Sequence, residues 1–230
     1  MTKKTMWLVL ALTACIRSYA DNFMVGGFCY EIQKDDTARV SLAVCNPLND
    51  IVDIPSHVTF QSKQYEVVSI DKWAFADCQH MTQVNIPATC RTIAAGTFLN
   101  CRKLQCIRVS AANQWYCDVD GVLYDKSCTT LLRFPPDNPA AEYGVKPTTR
   151  RIAAYAFFGC QRLTAIRLPL SLHAIGQAAF MNCNHLADIA LPADLRQIDD
   201  YAFWGCRQIK ESCMGHLHAC QTGSHVFYGQ

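Results

Sequence analysis

Ile175–Gln197 reads IGQAAFMNCNHLADIALPADLRQ, and its neighbours repeat it. Ile152–Ala174 reads IAAYAFFGCQRLTAIRLPLSLHA, Ile70–Thr92 reads IDKWAFADCQHMTQVNIPATCRT, and Ile198–Cys220 reads IDDYAFWGCRQIKESCMGHLHAC. A fifth block opens at Ile93 as IAAGTFLNCRKLQCIRVS and then departs. One column holds Phe75, Phe98, Phe157, Phe180 and Phe203. Three residues later comes a second column, Cys78, Cys101, Cys160, Cys183 and Cys206, and three further on a third, Met81, Leu104, Leu163, Leu186 and Ile209. The steps are 23, 59, 23 and 23, and 59 is one period plus a 36-residue insertion. Such a period outranks any single helix or strand assignment. A unit with six apolar anchors, such as Ile175, Phe180, Cys183, Leu186, Ile189 and Leu191, buries too little to fold alone. It must borrow its core from the units beside it, which is the logic of a solenoid.

Within the unit the pattern changes period. Val84-Asn85-Ile86, Ile166-Arg167-Leu168 and Ile189-Ala190-Leu191 alternate as a short strand does. Pro87, Pro169 and Pro192 close these strands, since proline cannot donate to a ladder. The Ala-Phe-x-x-Cys stretch is compact and reads as a turn of helix on the opposite side.

The pattern Ile-x-x-x-Ala-Phe-x-x-Cys-x-x-Leu-x-x-Ile-x-Leu-Pro resembles the BspA-like leucine-rich repeats of bacterial surface and secreted proteins. The resemblance covers about Val25–Gly229. It implies an α/β solenoid, a right-handed stack of 23-residue units with parallel strands on one face, short helical turns on the other and one β-hairpin insertion. Asp120–Tyr124, Thr129–Leu132 and Pro135 resemble that hairpin, which returns through Tyr143–Pro147. The organisation then reads as a leader, 1–20, and an amino-terminal β cap with an incomplete repeat, 21–69. Repeats follow over 70–109, the insertion over 110–151, repeats again over 152–220, and an incomplete terminal unit over 221–230. Thr97 and Ser110 depart from the consensus, and after Ile209 the strand pattern fails.

Composition excludes several classes. Half the 230 residues are hydrophobic and 17% are charged, which supports a packed core. The net charge of +2 argues against nucleic-acid binding. The longest apolar run, Met6–Ile16, has 11 residues; a membrane span needs about 20. That run follows Lys3 and Lys4 and precedes Ser18-Tyr19-Ala20, the parts of a secretory leader. Two cuts compete: one after Ala20, which the polar Asp21-Asn22 start favours, and one before Cys15, where LTAC resembles a lipobox and the cysteine would carry a lipid anchor. The leader holds Lys3, Lys4 and Arg17 and no acid, so its removal takes the charge from +2 to −1. Export places the chain outside the cell or on its surface, where cysteines meet an oxidising compartment.

The candidate chemistry is sparse. The five column cysteines read as small buried residues, because a nucleophile is one distinct thiol beside a base and not five equivalent copies. Cys117 and Cys128 flank the hairpin turn and are disulfide candidates, as are Cys29 and Cys45 in the cap. Cys213, His216, His218 and Cys220 form a zinc-type ligand set with a spacing that matches no common finger. His57, His80, His173 and His185 read as solvated, and the paired acids Asp35-Asp36 and Asp199-Asp200 as turn residues. No nucleophile elbow, phosphate loop or dinucleotide fingerprint occurs, so neither an enzyme nor a cofactor is expected.

Binding is the remaining role. Outward strand positions (Gln83, Asn85, Cys106, Arg108, Ala165, Arg167, Asp188 and Ala190) are mixed in charge and undistinguished. The residue after the repeated phenylalanine is Ala76, Leu99, Phe158, Met181 and Trp204, large and apolar in four units of five. Leu99, Phe158, Met181 and Trp204 form the candidate interaction stripe. Trp115, Tyr116, Tyr124 and Phe134 of the insertion are a weaker one. The expected partner is a protein or glycan on host or neighbouring cells; the competing role is a structural or glycan-associated module of a bacterial envelope.

Overall fold

The computed structural model describes residues 22–33, 39–45, 49–209 and 220–227. The leader, Cys15, Cys213, His216 and His218, Asp35-Asp36 and the side chain of Cys45 lie outside the described residues.

Each coil lays down two short strands, so two ladders run along the stack. One holds the residue pair ending at the repeat isoleucine. Thr92–Ile93 pairs with Lys63–Ile70, and Arg151–Ile152, Ala174–Ile175, Gln197–Ile198 and Gln221–Thr222 follow in parallel register. The other holds the alternating aliphatic segment. In the first half it is Ile51–Asp53, Gln83–Ile86 and Cys106–Val109; in the second, Glu142–Gly144, Ala165–Arg167 and Asp188–Ile189. At the amino-terminal end, Asn22–Val25, Phe28–Ile32, Arg39–Cys45, Lys63–Ile70 and His57–Phe60 form a sheet in that spatial order. Phe23 stacks on Phe60 with ring centres 4.4 Å apart and fills its inner face.

The expected helical turns are absent: among the described residues there is no helix, and the Ala-Phe-x-x-Cys stretch is a run of turns. Its amides alternate between two uses. In the coil of Phe157, the N–H groups of Ala156, Phe158 and Cys160 donate locally to Ala153, Tyr155 and Phe157 at 3.1–3.2 Å. Those of Tyr155, Phe157 and Gly159 donate to Gln177, Ala179 and Met181 of the next coil at 2.7–2.9 Å. Half the donors that a helix would use internally are committed between coils. Two left-handed residues per coil make the alternation geometrically feasible. One lies two residues before the phenylalanine (Trp73, Gly96, Tyr155, Ala178, Tyr201), the other two after it (Asp77, Asn100, Gly159, Asn182, Gly205).

The phenylalanines stack through the core. Phe157–Phe180, Phe180–Phe203 and Phe203–Phe227 have ring centres 4.8, 5.0 and 5.3 Å apart and are nearly coplanar in orientation, within 10°. The cysteine column beside them is buried. Its thiols donate back to the phenylalanine carbonyls of the preceding coil: Cys101 to Phe75 at 2.9 Å, Cys183 to Phe157 at 3.0 Å and Cys206 to Phe180 at 2.9 Å. Burial pushes the Cys183 thiol well above its ordinary pKa, so it stays protonated and donates.

The insertion holds the expected hairpin and adds a strand before it. Tyr116–Val119, Val122–Asp125 and Thr130–Arg133 form a three-stranded antiparallel meander. The last of these is itself a rung, parallel to Arg151–Ile152. Asp120 and Gly121 turn the first corner at φ 52° and 79°, the primed geometry that favours Asp-Gly. Phe134 enters the phenylalanine ladder, 5.2 Å from Phe157.

Here the ladder is interrupted. The apolar core falls into two clusters, one ending around Phe98, Leu104 and Ile107, the other beginning around Phe134 and Phe157. Arg133 sits between them, 5% exposed. Its guanidinium donates to the carbonyls of Tyr155 at 2.6 Å, Phe158 at 3.3 Å and Phe98 at 3.4 Å. The reason lies in the insertion's own turn, Phe134-Pro135-Pro136. In regular coils the residue two after phenylalanine donates forward, as Gly159 does to Met181. Pro136 stands at that position and has no N–H, so the Phe158 carbonyl needs another donor. Asp137 stands where a column cysteine would otherwise serve the Phe98 carbonyl. One arginine replaces both donors.

Candidate functional site

The most distinctive surface is the face of turns. The left-handed column before the phenylalanines carries Trp73, Tyr155, Tyr201 and, in the last described coil, His225, at φ 64°, 61°, 58° and 56°. An aromatic residue in this conformation costs about 1–2 kcal/mol of backbone strain. Glycine occupies the same position in one coil, Gly96. Retaining rings at strained positions where glycine also fits points to a use for the rings.

The rings form contiguous groups. Tyr155 meets Phe158 edge-on at 6.3 Å, and Tyr201 meets Trp204 edge-on at 5.5 Å. His225 stacks on Tyr201 at 5.4 Å and meets Trp204 edge-on at 6.1 Å. Ala178 and Met181 lie between these groups by coil position. Trp73 is half exposed at 52%, and its indole lies against Gly96. Lys72 covers its ring at 4.4 Å. A side chain at position 96 would meet that indole nitrogen at 3.2 Å, so glycine there makes room for the tryptophan.

The stripe expected from the sequence lies within this face. Leu99, Phe158, Met181 and Trp204 are each half-buried, neither free in solvent nor sealed in the core. The row of Trp73, Tyr155, Tyr201 and His225 beside it escapes a reading confined to the residue after phenylalanine. Its signal was the recurrence of rings two residues before.

The weaker candidate divides. Tyr124 and Phe134 are fully buried; the Tyr124 hydroxyl bonds that of Tyr143 at 2.7 Å. Tyr116 is half-buried and tied to Ile93 through its hydroxyl at 3.0 Å. Trp115 alone of the four is exposed, at 41%, with Arg91 over its ring at 5.4 Å and Glu66 holding Arg91 at 3.0 Å. Ala165, expected to face outward, is buried. His173 is also not freely solvated, for its Nδ1 is buried without a partner.

The chemically reactive candidates are plain in outcome. The Cys117 and Cys128 sulfurs lie 3.6 Å apart as thiols and are not bonded. Cys29 is half-buried, and the side chain of its expected partner Cys45 lies outside the described residues. Cys220 is half-buried beside Gln221, and no cluster of metal-ligating side chains occurs among the described residues. Asp199 accepts from Gln197 at 2.6 Å and Asp200 from the Ser224 amide at 2.5 Å, both roles in holding turns.

The BspA-type leucine-rich-repeat region matches in six copies, over residues 53–116 and 142–230. The chain belongs to this family. Two solved structures share its fold. The pneumococcal vaccine antigen PcpA superposes with a TM-score of 0.57 at 16% identity, over 84% of this chain and 75% of that one. A leucine-rich repeat protein from Bacteroides ovatus superposes with a TM-score of 0.54 at 27% identity, over 84% of this chain. This BspA-type chain spans about half the length of the Bacteroides protein, 52%. No curated protein matches it. No helix among the described residues is long and apolar enough to cross a membrane.

Proposed function

We infer that this BspA-type repeat protein is a non-enzymatic binding module, exported to the bacterial surface or beyond, that grips a macromolecule of host or neighbouring cells with its face of turns. The observation that carries the reading is the row of rings kept at left-handed backbone positions. Repeat proteins are protein-interaction scaffolds, and aromatic anchors concentrate binding energy. Family membership and the leader-like residues 1–20 support the surface location, with release after Ala20 or a lipid at Cys15 as the two modes of attachment.

The test removes rings without straining the backbone. Tyr155→Gly combined with Tyr201→Gly relieves the left-handed cost while deleting two anchors. The pair is expected to keep the wild-type circular dichroism spectrum and to lose at least about tenfold in retention on immobilised matrix proteins, or on a glycan array, whichever captures the parent. Phe158→Ser with Trp204→Ser should lose as much. Unchanged binding by a folded double variant sinks the reading. The edge-to-face rows also suit stacking against sugar rings, which favours a glycan-associated envelope role as the second reading; capture by glycans and not by proteins would select it.

Export carries a second expectation. In an oxidising compartment Cys117 and Cys128 close a disulfide by exchange. With oxidised glutathione, the two protein thiols lose two hydrogens, one S–S bond forms, and two reduced glutathione molecules leave. Burial, then the neighbouring Cys128 thiol, pushes Cys117 up to about 11. Only the thiolate attacks, so closure initiated by Cys117 is slow at neutral pH and accelerates as the pH rises toward that value. Peptide mass mapping is expected to find the crosslink; persistent mixed disulfides with glutathione and no crosslink would refute it.

A further inference from the structure

The interruption at Arg133 leaves a cavity of about 160 Å³ between the coil of Phe98 and that of Phe157. Its walls are mostly apolar, with Ile93, Leu99, Leu123 and Leu132 among them, and Arg133 forms part of the lining. Ala95, an exposed residue, stands on its rim.

Two independent observations mark this space. The first is charge. Arg133 is 5% exposed and, among the described residues, forms no ion pair. Arg91, Arg108, Arg162 and Arg167 each lie within reach of a carboxylate at the surface, at 3.0–3.8 Å. The buried guanidinium has only backbone carbonyls, whose partial charges satisfy N–H groups without neutralising the cation. A buried charge normally requires a counter-charge. The second is a vacancy in its hydrogen bonding. The Arg133 Nε is buried and has no acceptor. The arginine thus answers the donors missing at Pro136 and Asp137, and it still has an unpaired charge and an unused N–H in the lining of the cavity.

Size narrows the ligand. A dry cavity of about 150 Å³ accepts a benzene ring. A phosphate or sulfate would leave the apolar walls unfilled, and a hydrocarbon would leave the cation unpaired. We propose that this cavity binds a small monocarboxylate, its carboxylate turned toward the Arg133 guanidinium and its apolar body against Leu99, Leu123 and Leu132. The site is distinct from the aromatic face of turns and does not depend on that face binding anything.

The probe is benzoate, with benzyl alcohol and benzylamine as neutral and cationic analogues, each titrated into the full chain at constant ionic strength. Amide and Arg133 Nε–H chemical shifts are the readout. Benzoate is expected to bind in the millimolar range or tighter and at least about tenfold more tightly than benzyl alcohol, with benzylamine not binding. Its largest shifts should fall on Gly96, Leu123 and Arg133. Ala95→Phe, an enlargement at an exposed rim position, should block benzoate while leaving the fold intact. Arg133→Gln should bring benzoate and benzyl alcohol to parity. Equal affinity for benzoate and the alcohol in the parent chain overturns the proposal, as does undiminished benzoate binding by Ala95→Phe, or no binding up to about 10 mM. Should Arg133→Gln unfold, the parent's ligand selectivity and Ala95→Phe decide the matter.

Discussion

Phe180→Ala is expected to lower the unfolding free energy by about 4 kcal/mol, from the usual cost of a buried Phe→Ala change. Phe180 is fully buried at the middle of the phenylalanine ladder. It faces Phe157 at 4.8 Å on one side and Phe203 at 5.0 Å on the other, tilted by only 10° and 2°. Its removal opens a cavity and strips a ring contact from two coils at once, each pair worth about 0.5–1.5 kcal/mol beyond area. The backbone cannot collapse into the gap, because the Phe180 amide is tied to Ala202 at 2.7 Å and its carbonyl receives the Cys206 thiol at 2.9 Å. Phe227→Ala supplies the contrast. Phe227 is half-buried and, among the described residues, stacks on Phe203 alone, at 5.3 Å, so its loss should cost about 1 kcal/mol. Urea unfolding followed by circular dichroism measures both. Equal costs at the two positions would contradict a stack in which each coil leans on two neighbours.

Arg133→Leu is expected to destabilise the chain by about 2–4 kcal/mol and to split its unfolding into two steps. The Phe158 and Phe98 carbonyls lose their guanidinium donor, and each buried unsatisfied group costs about 1–3 kcal/mol. Part of that is returned, since an unpaired buried charge is itself unfavourable. The loss prevails because Pro136 offers no N–H to take over and because leucine cannot donate. The second effect follows from position. The two apolar clusters meet at this coil, and Arg133 donates into both, to Phe98 on one side and to Tyr155 and Phe158 on the other. Without it, the halves are joined chiefly through the meander. Arg133→Lys restores the charge but not the planar fork, and should recover only part of the loss. A leucine variant as stable as the parent, unfolding in one step, would show that the arginine links nothing.

The columns of phenylalanine, cysteine and leucine were legible because each needs the same apolar residue in every coil. The helical turn was misjudged for a specific reason. Hydrophobic spacing sees side chains, whereas the deciding fact was the alternation of backbone amides between local and inter-coil partners. A trace of it stood in the chain at Asp77, Asn100, Gly159, Asn182 and Gly205, all types that tolerate left-handed geometry. The insertion is legible as a hairpin but not as a rung of the stack. Phe134 lies 23 residues before Phe157 and belongs to the ladder, yet the hairpin pattern around it obscures that register. Arg133 gave no signal of its own; only with Pro136 and Asp137 read as two missing donors does a buried cation at an alanine position make sense. The aromatic row of Trp73, Tyr155 and Tyr201 was visible as residue types but not as strain, because strain exists only once φ is known.

In five coils the amide of the column phenylalanine points the same way. Phe75 donates to Thr97, Phe134 to Ala156, Phe157 to Ala179, Phe180 to Ala202 and Phe203 to Val226. The stack is therefore vectorial, with acceptors leading and donors trailing. Two such rows of turns meeting by like ends would set N–H against N–H or oxygen against oxygen. The same directionality lets a lineage lengthen the array by duplicating whole coils, since the regular coils of Phe157 and Phe180 each present their successor with three donors.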